Sequence, residues 1–593
     1  MASSTLTYGY DDLGRLSRVT RPFASAGVNK DVTYAYDLHG WTTAITANSF
    51  QEELFYAGGP GTPRWNGNIS AIRWKDKTSR AIRGYRLGYD GADRLVQAIY
   101  GQSSALTTYV GRFSESFGYD SMGNVTGITR SGKTSSGGYG VMDNLTLTYD
   151  GNRLAGVSET VADYDFAGSF EYRRANGSQY IYDANGSLVA DRSRGIAYIT
   201  YDANGNPSRI YFTNGSQTRY TYSAAGEKLL VEHYVAAPNV TVPFGAEPDA
   251  LTQGQVMYAG STQYLLDGSL VVKDGMTDRY LFDGGYAKAI FVNPTTYTFE
   301  FYYYNKDHLG NIREVVDSSG TVKQVTNYYP SGTPYADPAA VMNANMQPYK
   351  YNGKELDRMH GLDTYDYGAR QYDPVLGRWD RMDPLCEKYY SVSPYVYCHD
   401  NPVMHIDPDG RKIVMSQNNS QEYNFQYNNA ITYLKEHGCS SLISYLEDIP
   451  IEITIQEIGS NKQNSTDIRI GVNIIEWNAK QGLLTDLGHI LSPAIRLYHE
   501  LAHQEHKLRN PDKFLEDSKP NDSVYQSKDD ENIINNEETD AARKCGEIPQ
   551  DAITRESHGG IPFETTSSTS RNIININGDI KMWKYTWGES ETF

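Results

Sequence analysis

Short stretches of alternating apolar and polar residues recur along the first 300 residues, and turns that contain glycine separate them. Alternation with a period of two is typical of half-buried strands, and Asn-Gly or Xaa-Gly between two such stretches is typical of a hairpin. The pattern therefore predicts a mostly β structure of successive hairpins. A single hairpin cannot bury its own apolar face, so we expect neighbouring hairpins to stack.

A Tyr-Asp pair recurs within this pattern. The pairs begin at Tyr10, Tyr36, Tyr89, Tyr119, Tyr149, Tyr182 and Tyr201, in most cases roughly 20–30 residues apart, and a glycine usually follows within a few residues. The aspartate suits the entry of a turn because its carboxylate can accept backbone N–H groups there. The chain has 49 tyrosines against 17 phenylalanines, an enrichment that usually indicates a repeat, and we interpret the tyrosine, aspartate and glycine residues of the repeat as scaffold.

Four longer motifs follow the repeats and end at Gly410. They are YYYNKDHLGNIREVVD around Asp307, YKYNGKELD, DTYDYGARQYDPVLGRWDRMDP and SPYVYCHDNPVMHIDPDG. Together with the Tyr-Asp pairs, they resemble the YD repeats and the repeat-associated core of the bacterial RHS family. The resemblance implies repeats over residues 1–300, a core over residues 301–410, and a β-shell of stacked hairpins that encloses a C-terminal toxin.

The closing DPDG motif suggests a self-cleavage site. Many RHS cores cut their own chain just after this motif with paired aspartates, which by motif position are Asp383 and Asp407, so the cut would follow Gly410. Two neighbouring carboxyl groups can share a proton and act as acid and base on a peptide bond. The family usually has leucine where this chain has Arg411, and two plain turns are the alternative interpretation.

The composition changes after Gly410. The Tyr-Gly repeats stop, and apolar residues recur with helical spacing. This change predicts a smaller α+β domain over residues 411–593, and the RHS resemblance gives it the position of the toxin. Within SPAIRLYHELAHQEHKLRNP, apolar residues three and four positions apart predict a helix that begins at Ser492-Pro493 and ends at Asn510-Pro511.

The predicted helix contains an HExxH motif. His499 and His503 are four residues apart, so both imidazoles project from one side of the helix at a spacing that can bind one Zn²⁺ ion. Glu500 stands beside the first ligand and can accept a proton from a water molecule at the metal. His506 lies seven residues after His499, about 10 Å along the axis, which is too far for the same ion. The alternative is two exposed histidines on a surface helix.

A third zinc ligand is expected on a later helix, within DDENIINNEETDAARKCGE. Asp529 or Asp530 can cap this helix. Glu538 lies four residues after Ile534 on the apolar face, and a buried carboxylate needs a partner such as zinc. We therefore predict Glu538 as the third ligand and Glu537, on the flank, as the second choice or as a residue that orients a ligand histidine. Two ordinary surface acids are the alternative.

The stretch from about His489 to Gly560 resembles the effector-type zinc metallopeptidases, whose HExxH motif precedes an Asn-Glu-Glu helix and an arginine–tyrosine pair. The corresponding stretch here, TRESHGG, has Arg555 and, in place of the tyrosine, His558. The resemblance implies catalytic roles for both, with Arg555 stabilising an oxyanion. A surface salt bridge is the alternative for Arg555.

Charge and composition exclude several other classes. The net charge of -18 argues against nucleic acid as a partner, because phosphate binding needs a basic surface. No apolar run of about 18 residues predicts a membrane span, and the N-terminus lacks the pattern of a signal peptide. The four cysteines form no CxxC pair, so neither a cysteine zinc site nor a disulfide framework is predicted.

We therefore expect an exported bacterial RHS-family toxin whose C-terminal zinc endopeptidase hydrolyses a protein inside a target cell. The family resemblance implies two further partners, a cognate immunity protein and a secretion apparatus. Two alternatives stay open: a non-catalytic cell-surface YD-repeat binding protein with an inactive tail, and a nuclease toxin, for which the sequence shows no basic catalytic cluster.

Overall fold

The chain divides into two units in the computed structural model, one of residues 1–9 and 17–417 and one of residues 10–16 and 418–593. The junction predicted after Gly410 lies close to this division. The boundary predicted at residue 300 instead falls inside a strand, because the second long sheet of the first unit continues through it. The structure describes residues 5–12, 15–23, 28–161, 170–174, 179–224, 226–293, 296–388, 392–411, 414–415, 421–448, 454–457, 464–466, 474–519, 525, 527–557, 561–565, 567–571, 573–574 and 580–581.

A sheet of twelve strands forms the first half of the first unit, and each strand is hydrogen-bonded to the next in the sequence. This order is that of successive hairpins, as the alternating pattern predicts. The strands are β1 (Thr7–Tyr10), β2 (Leu16–Thr20), β3 (Asp31–Tyr36), β4 (Thr42–Thr46), β5 (Gln51–Phe55), β6 (Ala71–Asp76), β7 (Ser79–Tyr89), β8 (Leu95–Gln102), β9 (Glu115–Tyr119), β10 (Val125–Lys133), β11 (Tyr139–Asp150) and β12 (Arg153–Glu159).

A second sheet of thirteen strands has the same sequential order. Its strands are β13 (Tyr180–Tyr182), β14 (Leu188–Asp191), β15 (Ile196–Tyr201), β16 (Pro207–Phe212), β17 (Gln217–Tyr222), β18 (Lys228–Ala236), β19 (Val256–Leu265), β20 (Leu270–Lys273), β21 (Met276–Phe282), β22 (Gly285–Asn293), β23 (Thr296–Lys306), β24 (Ile312–Asp317) and β25 (Val322–Val325). The prediction of a mostly β fold built from antiparallel hairpins is confirmed.

Shorter strands complete the first unit. A four-stranded sheet contains β26 (Glu355–Asp357), β27 (Thr364–Asp366), β28 (Gln371–Asp373) and β29 (Arg378–Trp379), and a two-stranded ladder contains β30 (His405–Ile406) and β31 (Val414–Met415). Buried aromatic rings from the four-stranded sheet and from Tyr397 pack closely. The rings of Tyr372 and Tyr397, for example, are stacked with centroids 3.9 Å apart.

The Tyr-Asp pairs explain why the hairpins stack. The Tyr119 hydroxyl donates a hydrogen bond to the backbone carbonyl of Leu95, and the Tyr149 hydroxyl donates one to that of Val125, each over 2.6 Å. Each acceptor lies 24 positions earlier, at the start of the strand that follows the preceding Tyr-Asp turn. The tyrosine therefore links its own repeat to the one before it.

The aspartate of each pair holds its own turn together. Oδ1 of Asp120 accepts hydrogen bonds from the backbone N–H groups of Met122 (2.8 Å) and Asn124 (2.9 Å). Between these residues Gly123 adopts a φ of 83°, a left-handed conformation that glycine reaches without steric cost. Asp202 makes equivalent contacts in another Tyr-Asp pair, and Asp307, which follows a lysine, makes them in a related turn. These are the carboxylate–backbone contacts that the sequence predicts.

The second unit contains helices and short strands. The helices are α1 (Gln421–Glu436), α2 (Ser440–Asp448), α3 (Pro493–Arg509), α4 (Pro511–Asp517), α5 (Lys528–Ile533) and α6 (Thr539–Lys544), and a π-helical turn, Ile534–Glu538, joins the last two. The strands form two sheets, with β34 (Ile474–Trp477) between β32 (Thr454–Glu457) and β33 (Ser465–Thr466), and with β36 (Ile490–Leu491), β35 (Gln481–Leu484), β37 (Ile561–Thr565), β38 (Ile573–Ile574) and β39 (Ile580–Lys581) in that order.

The core of the second unit forms around α3. Its buried side chains include Leu434, Ile443, Trp477, Leu497 and Ala502, drawn from three helices and a strand. Because α3 supplies apolar residues to this core, the face that carries its histidines has a fixed orientation. No helix among the residues that the structure describes is both long and apolar enough to cross a membrane.

Candidate metal centre

The helix α3 carries the HExxH motif in the setting that the sequence predicts. It begins at Pro493 after the N-cap Ser492, whose side chain accepts a hydrogen bond from the backbone N–H of Ile495, and it ends at Arg509. The acid Glu547 accepts hydrogen bonds from both the backbone N–H and the hydroxyl of Ser492, at 2.7 Å each. An acid at a helix N-terminus is stabilised by the helix dipole.

The two histidines of the motif turn their Nε2 atoms toward one carboxylate oxygen. Oδ1 of Asp530 lies 3.2 Å from Nε2 of His503 and 3.8 Å from Nε2 of His499. The donor atoms of these three residues all lie within 4.8 Å of one another. His499 is buried and His503 half-buried, so the motif does not form the exposed surface pair that is the alternative interpretation.

The other nitrogen of His499 faces Glu538. Oε2 of Glu538 lies 2.9 Å from Nδ1 of His499. The same carboxylate accepts two hydrogen bonds from Arg555, one from Nε at 3.0 Å and one from Nη2 at 2.6 Å. Both Glu538 and Arg555 are buried. Glu538 thus lies between the guanidinium group and the imidazole, behind the ring rather than at its Nε2 side.

The other nitrogen of His503 faces Asp529. Oδ2 of Asp529 lies 2.6 Å from Nδ1 of His503, and Oδ1 lies 2.7 Å from Nδ1 of His506. Nε2 of His506 lies 3.3 Å from Oε1 of Glu537. Asp529 therefore bridges two histidines of α3, and Glu537 meets the outer one of the two.

The electrostatics of the cluster favour positive charge. Burial opposes a charged imidazole, but hydrogen bonds to Asp529 and Asp530 raise the pKa of His503 to about 10. Burial likewise disfavours the Glu538 carboxylate, yet Arg555 and His499 hold its pKa well below the usual range. The acids therefore stay ionised, and a divalent cation could take the place of the proton that they hold on His503.

This geometry differs from the predicted ligand set in one residue. Asp530, interpreted from the sequence as a helix cap, stands where Glu538 is expected. The cap is Ser527, which accepts from the backbone N–H of Asp530 and so leaves both Asp529 and Asp530 inside the first turn. The serine two residues before the predicted segment is the sequence signal for this shift, because serine is a preferred N-cap.

Some of the remaining predicted residues lie where the sequence predicts them and others do not. Glu500 is buried on α3 beside His499, as expected. Arg555 is buried and paired with Glu538, so it does not form the surface salt bridge that is the alternative, and its role toward an oxyanion stays a prediction. Glu537 lies against His506 rather than against a motif histidine. His558 lies outside the described residues.

In the first unit, the predicted self-cleavage pair meets at one arginine. Nη2 of Arg370 lies 2.9 Å from Oδ2 of Asp383 and 3.0 Å from Oδ2 of Asp407. Its Nε donates to the carbonyl of Gly410 (2.5 Å), and Oδ1 of Asp407 accepts from the backbone N–H of Arg411 (3.0 Å). Burial raises the pKa of Asp407 to about 6 and also raises that of Asp383. Arg370 and Asp407 thus contact Gly410 and Arg411 directly, and Asp383 is joined to them through Arg370.

Two kinds of comparison describe what the chain is similar to. Toxin subunit YenC2 of Yersinia entomophaga is 24% identical over 65% of this chain and 38% of its own length. The tRNA nuclease WapA of Bacillus subtilis is 27% identical over 49% of this chain and 11% of its own length. Among solved structures, TcdB2-TccC3 covers 69% of this chain and 21% of that chain, at 17% identity and a TM-score of 0.44.

The chain spans less than two fifths of the length of each curated relative that it matches. A family model described as RHS Repeat matches residues 201–232, around the Tyr201-Asp202 pair. The chain therefore contains an RHS repeat and is related to bacterial toxin subunits.

Proposed function

We propose that the second unit is a zinc-dependent endopeptidase and that the whole chain is part of an exported toxin. One observation carries the proposal: Nε2 of His499, Nε2 of His503 and Oδ1 of Asp530 converge next to Glu500. Two imidazoles and one carboxylate are a ligand set of catalytic zinc, which keeps a fourth position open for water or substrate.

The spacing of the three donors fits zinc. Donor atoms at about 2.0–2.1 Å from a tetrahedral ion lie about 3.3 Å from one another. Oδ1 of Asp530 is 3.2 Å and 3.8 Å from the two Nε2 atoms, so a small movement of the side chains would bring all three into bonding range. The carboxylates behind both rings match the arrangement that commonly supports zinc-bound histidines.

In the proposed hydrolysis, zinc and Glu500 have separate roles. When bound, zinc supplies Lewis acidity, which lowers the pKa of water and polarises a substrate carbonyl. The Glu500 carboxylate accepts a proton from the attacking water and passes it to the nitrogen of the leaving amine. Glu500 directly follows His499 on α3 and is buried.

The wider setting of the proposal follows from the relatives. Because relatives are named as toxin subunits, we propose that the second unit acts on a protein of a target cell after export through a secretion apparatus. Enclosure by the RHS repeats until release, and protection of the producing cell by an immunity protein, belong to the same proposal.

The test uses the full chain purified in wild-type form, as Glu500→Gln and as Asp540→Asn. The last is a matched control, because Asp540 is an exposed acid on α6. We expect one zinc per chain and cleavage of a peptide library by the wild type and the control, and a loss of about 10²–10⁴-fold in rate for Glu500→Gln. Equal cleavage by Glu500→Gln would remove the peptidase proposal.

The same samples separate the alternatives. Cleavage of tRNA without cleavage of peptides would favour a nuclease, the activity in the name of WapA. Purification without stoichiometric zinc, together with no hydrolysis of either substrate, would favour a binding protein with an inactive tail.

A second activity is proposed for the first unit: hydrolysis of its own Gly410–Arg411 peptide bond. One carboxyl group of the Asp383–Asp407 pair takes a proton from water as the oxygen attacks the Gly410 carbonyl carbon. The other gives a proton to the Arg411 nitrogen as the C–N bond breaks. Nε of Arg370 donates to the carbonyl oxygen on which negative charge develops.

Mass spectrometry of the purified chain tests the cut. We expect the wild type to yield fragments that end at Gly410 and begin at Arg411, and Asp407→Asn to stay intact. Asp267→Asn, a change of an exposed aspartate elsewhere in the first unit, should be cut like the wild type. An intact wild-type chain, or an Asp407→Asn chain cut at the same place, would contradict the proposal.

A further inference from the structure

Each motif histidine of the candidate metal centre is held from behind by an acid. Glu538 lies at Nδ1 of His499 and Asp529 at Nδ1 of His503. We propose that these two acids are positioning residues that fix the tautomer and orientation of the rings, and that the π-helical turn Ile534–Glu538 exists to set them on one face. The inference rests on the zinc site proposed above.

The tautomer follows from the charges. An ionised carboxylate can only accept a hydrogen bond, so the proton of each neutral ring must sit on Nδ1. The lone pair of Nε2 is then available to a metal ion, and the ring cannot rotate without losing its hydrogen bond. Each acid in this way holds its ring in the orientation that turns Nε2 toward Asp530.

Each acid is itself held on its far side. Arg555 donates two hydrogen bonds to Glu538, in the bidentate geometry that a guanidinium group offers to a carboxylate. On the other side of the site, Nδ1 of His506 lies 2.7 Å from Oδ1 of Asp529, the oxygen that does not face His503. Arg555 thus affects His499 through Glu538. His506 affects His503 through Asp529 in the same way.

The helix that carries the acids would separate them if it were regular. Successive residues of an α-helix are turned by about 100°, so Glu538, nine residues after Asp529, would lie about 180° away, on the opposite side. A π-helical turn accommodates one extra residue. The separation from Asp529 then falls to about 80°, and that from Asp530 falls from about 80° to about 20°.

The widened turn therefore aligns Glu538 with Asp530, the proposed ligand. The Thr539 hydroxyl supports the turn by donating to the carbonyl of Ile534, five residues earlier, at 2.7 Å. The side chains of Asn535 and Asn536 in the turn are exposed, and the Asn536 amide donates to the carbonyl of Asn532 at 2.8 Å. The hydrogen bonds of a π-helical turn have poorer geometry than those of an α-helix, and the turn compensates here by bringing Glu538 to the side of Asp529 and Asp530 that meets the histidines of α3.

Zinc affinity tests the positioning role. The full chain is titrated with zinc against a chromophoric chelator as wild type, Asp529→Asn, Glu538→Gln and the control Asp540→Asn. We expect the dissociation constant to rise about 10–100-fold for the first two variants, the effect usual for the partners of zinc-bound histidines, and to stay at the wild-type value for the control.

Cobalt(II) at saturating concentration gives a reading that a general loss of stability would not change. The visible absorption bands of the ion report how its ligands are arranged. We expect Asp529→Asn and Glu538→Gln to alter the intensity of these bands, while Asp540→Asn leaves them as in the wild type. Unaltered bands and affinities in both positioning variants would overturn the inference.

Insertion of one alanine between Asn535 and Asn536 tests the turn itself, with Asn535→Ala as the matched substitution. The insertion turns Glu538 by about 100° more, to about 180° from Asp529 and away from His499, so we expect zinc to bind at least 10-fold more weakly to the insertion variant than to Asn535→Ala. Should the insertion variant not fold, Asp529→Asn and Glu538→Gln still decide the positioning role. A wild type that binds no zinc would overturn the proposed function, whereas wild-type binding with equal affinity in all variants would overturn only this inference.

Discussion

Buried carboxylates have different partners in the two units. In the first unit, Arg130 lies between Glu115 and Asp143, and all three side chains are fully buried. In the second, Asp529 and Asp530 meet the imidazoles of α3. A guanidinium group keeps its charge at any ordinary pH, whereas an imidazole can release a proton and bind a metal. The comparison teaches that the arginine between Glu115 and Asp143 offers these acids only a fixed charge, whereas the histidines beside Asp529 and Asp530 also offer nitrogen donors for a metal ion.

The largest expected effect is a loss of unfolding free energy when the buried arginine of the first unit is replaced. Arg130→Met leaves the carboxylates of Glu115 and Asp143 buried without their cation, so we expect the first unit to lose about 3–5 kcal/mol of unfolding free energy. Urea denaturation followed by tryptophan fluorescence measures the loss. Arg18→Met is the control, since this exposed arginine lies 3.7 Å from Asp31 and should contribute at most about 1 kcal/mol. Equal losses would contradict the structural role of the buried cluster.

Asp530→Asn tests whether the acids of the second unit bind a metal ion. A neutral amide is a poor zinc donor, so we expect the zinc dissociation constant to rise more than about 100-fold, or about 2.7 kcal/mol. The measurement sharpens the comparison because the sequence and the structure name different third ligands. If Glu538→Gln weakens zinc binding more than Asp530→Asn does, Glu538 is the ligand, as the sequence predicts, and the geometry described here is not that of the bound state.

The helix α3 and the candidate ligand Asp530 mark what the sequence can and cannot predict. A serine N-cap, a proline and the spacing of apolar residues determine α3 locally, so its bounds and the side of its histidines follow from the sequence. The burial of Glu538 follows too, from its place on the apolar face. The sequence does not predict which imidazole nitrogen Asp530 and Glu538 contact. This depends on where the helix α5 begins and on a π-helical turn that regular periodicity does not reveal.

The same contrast holds in the first unit. The Tyr-Asp turns are local, and the contacts of Asp120 follow from its own residue type and the glycine after it. Arg370, in contrast, joins Asp383 and Asp407 from a separate strand region, and no spacing along the chain relates the three. Contacts within a turn or a helix can thus be predicted from the sequence, and contacts that depend on tertiary packing cannot.

A histidine in the scaffold provides an intermediate case with a pH dependence. Nδ1 of His308 lies 3.2 Å from Glu52, and its Nε2 lies 3.0 Å from the carbonyl oxygen of Val403. Burial opposes its charge, but Glu52 raises its pKa to about 9. Because the unfolded value is about 6.5, the protonated ring contributes its full stabilisation below pH about 6.5 and loses it as the pH rises to about 9.

We therefore expect the unfolding free energy of the first unit to fall from pH 7 to pH 9, by at most about 1.4 kcal/mol for each pH unit from this group. His308→Gln should flatten the curve in this range, while His39→Gln, at an exposed position, should leave it unchanged. Urea midpoints at a series of pH values measure both. A curve of wild-type slope in His308→Gln would show that this imidazole is neutral in the folded protein.

The smallest expected effect concerns the hydroxyl groups that link the repeats. Tyr119→Phe removes the hydrogen bond to Leu95 and keeps the ring, so we expect a loss of about 1 kcal/mol, measured as a shift of the urea midpoint. Tyr109→Phe is the control, because the Tyr109 side chain is exposed. Tyr119→Phe combined with Tyr149→Phe should cost more than either change alone but not the simple sum, because Val125 is the strand partner of Tyr119 and the acceptor for Tyr149, and sites that share a partner are not additive. A double variant as stable as either single one would mean that the tyrosine rings, and not their hydroxyl groups, hold the hairpins together.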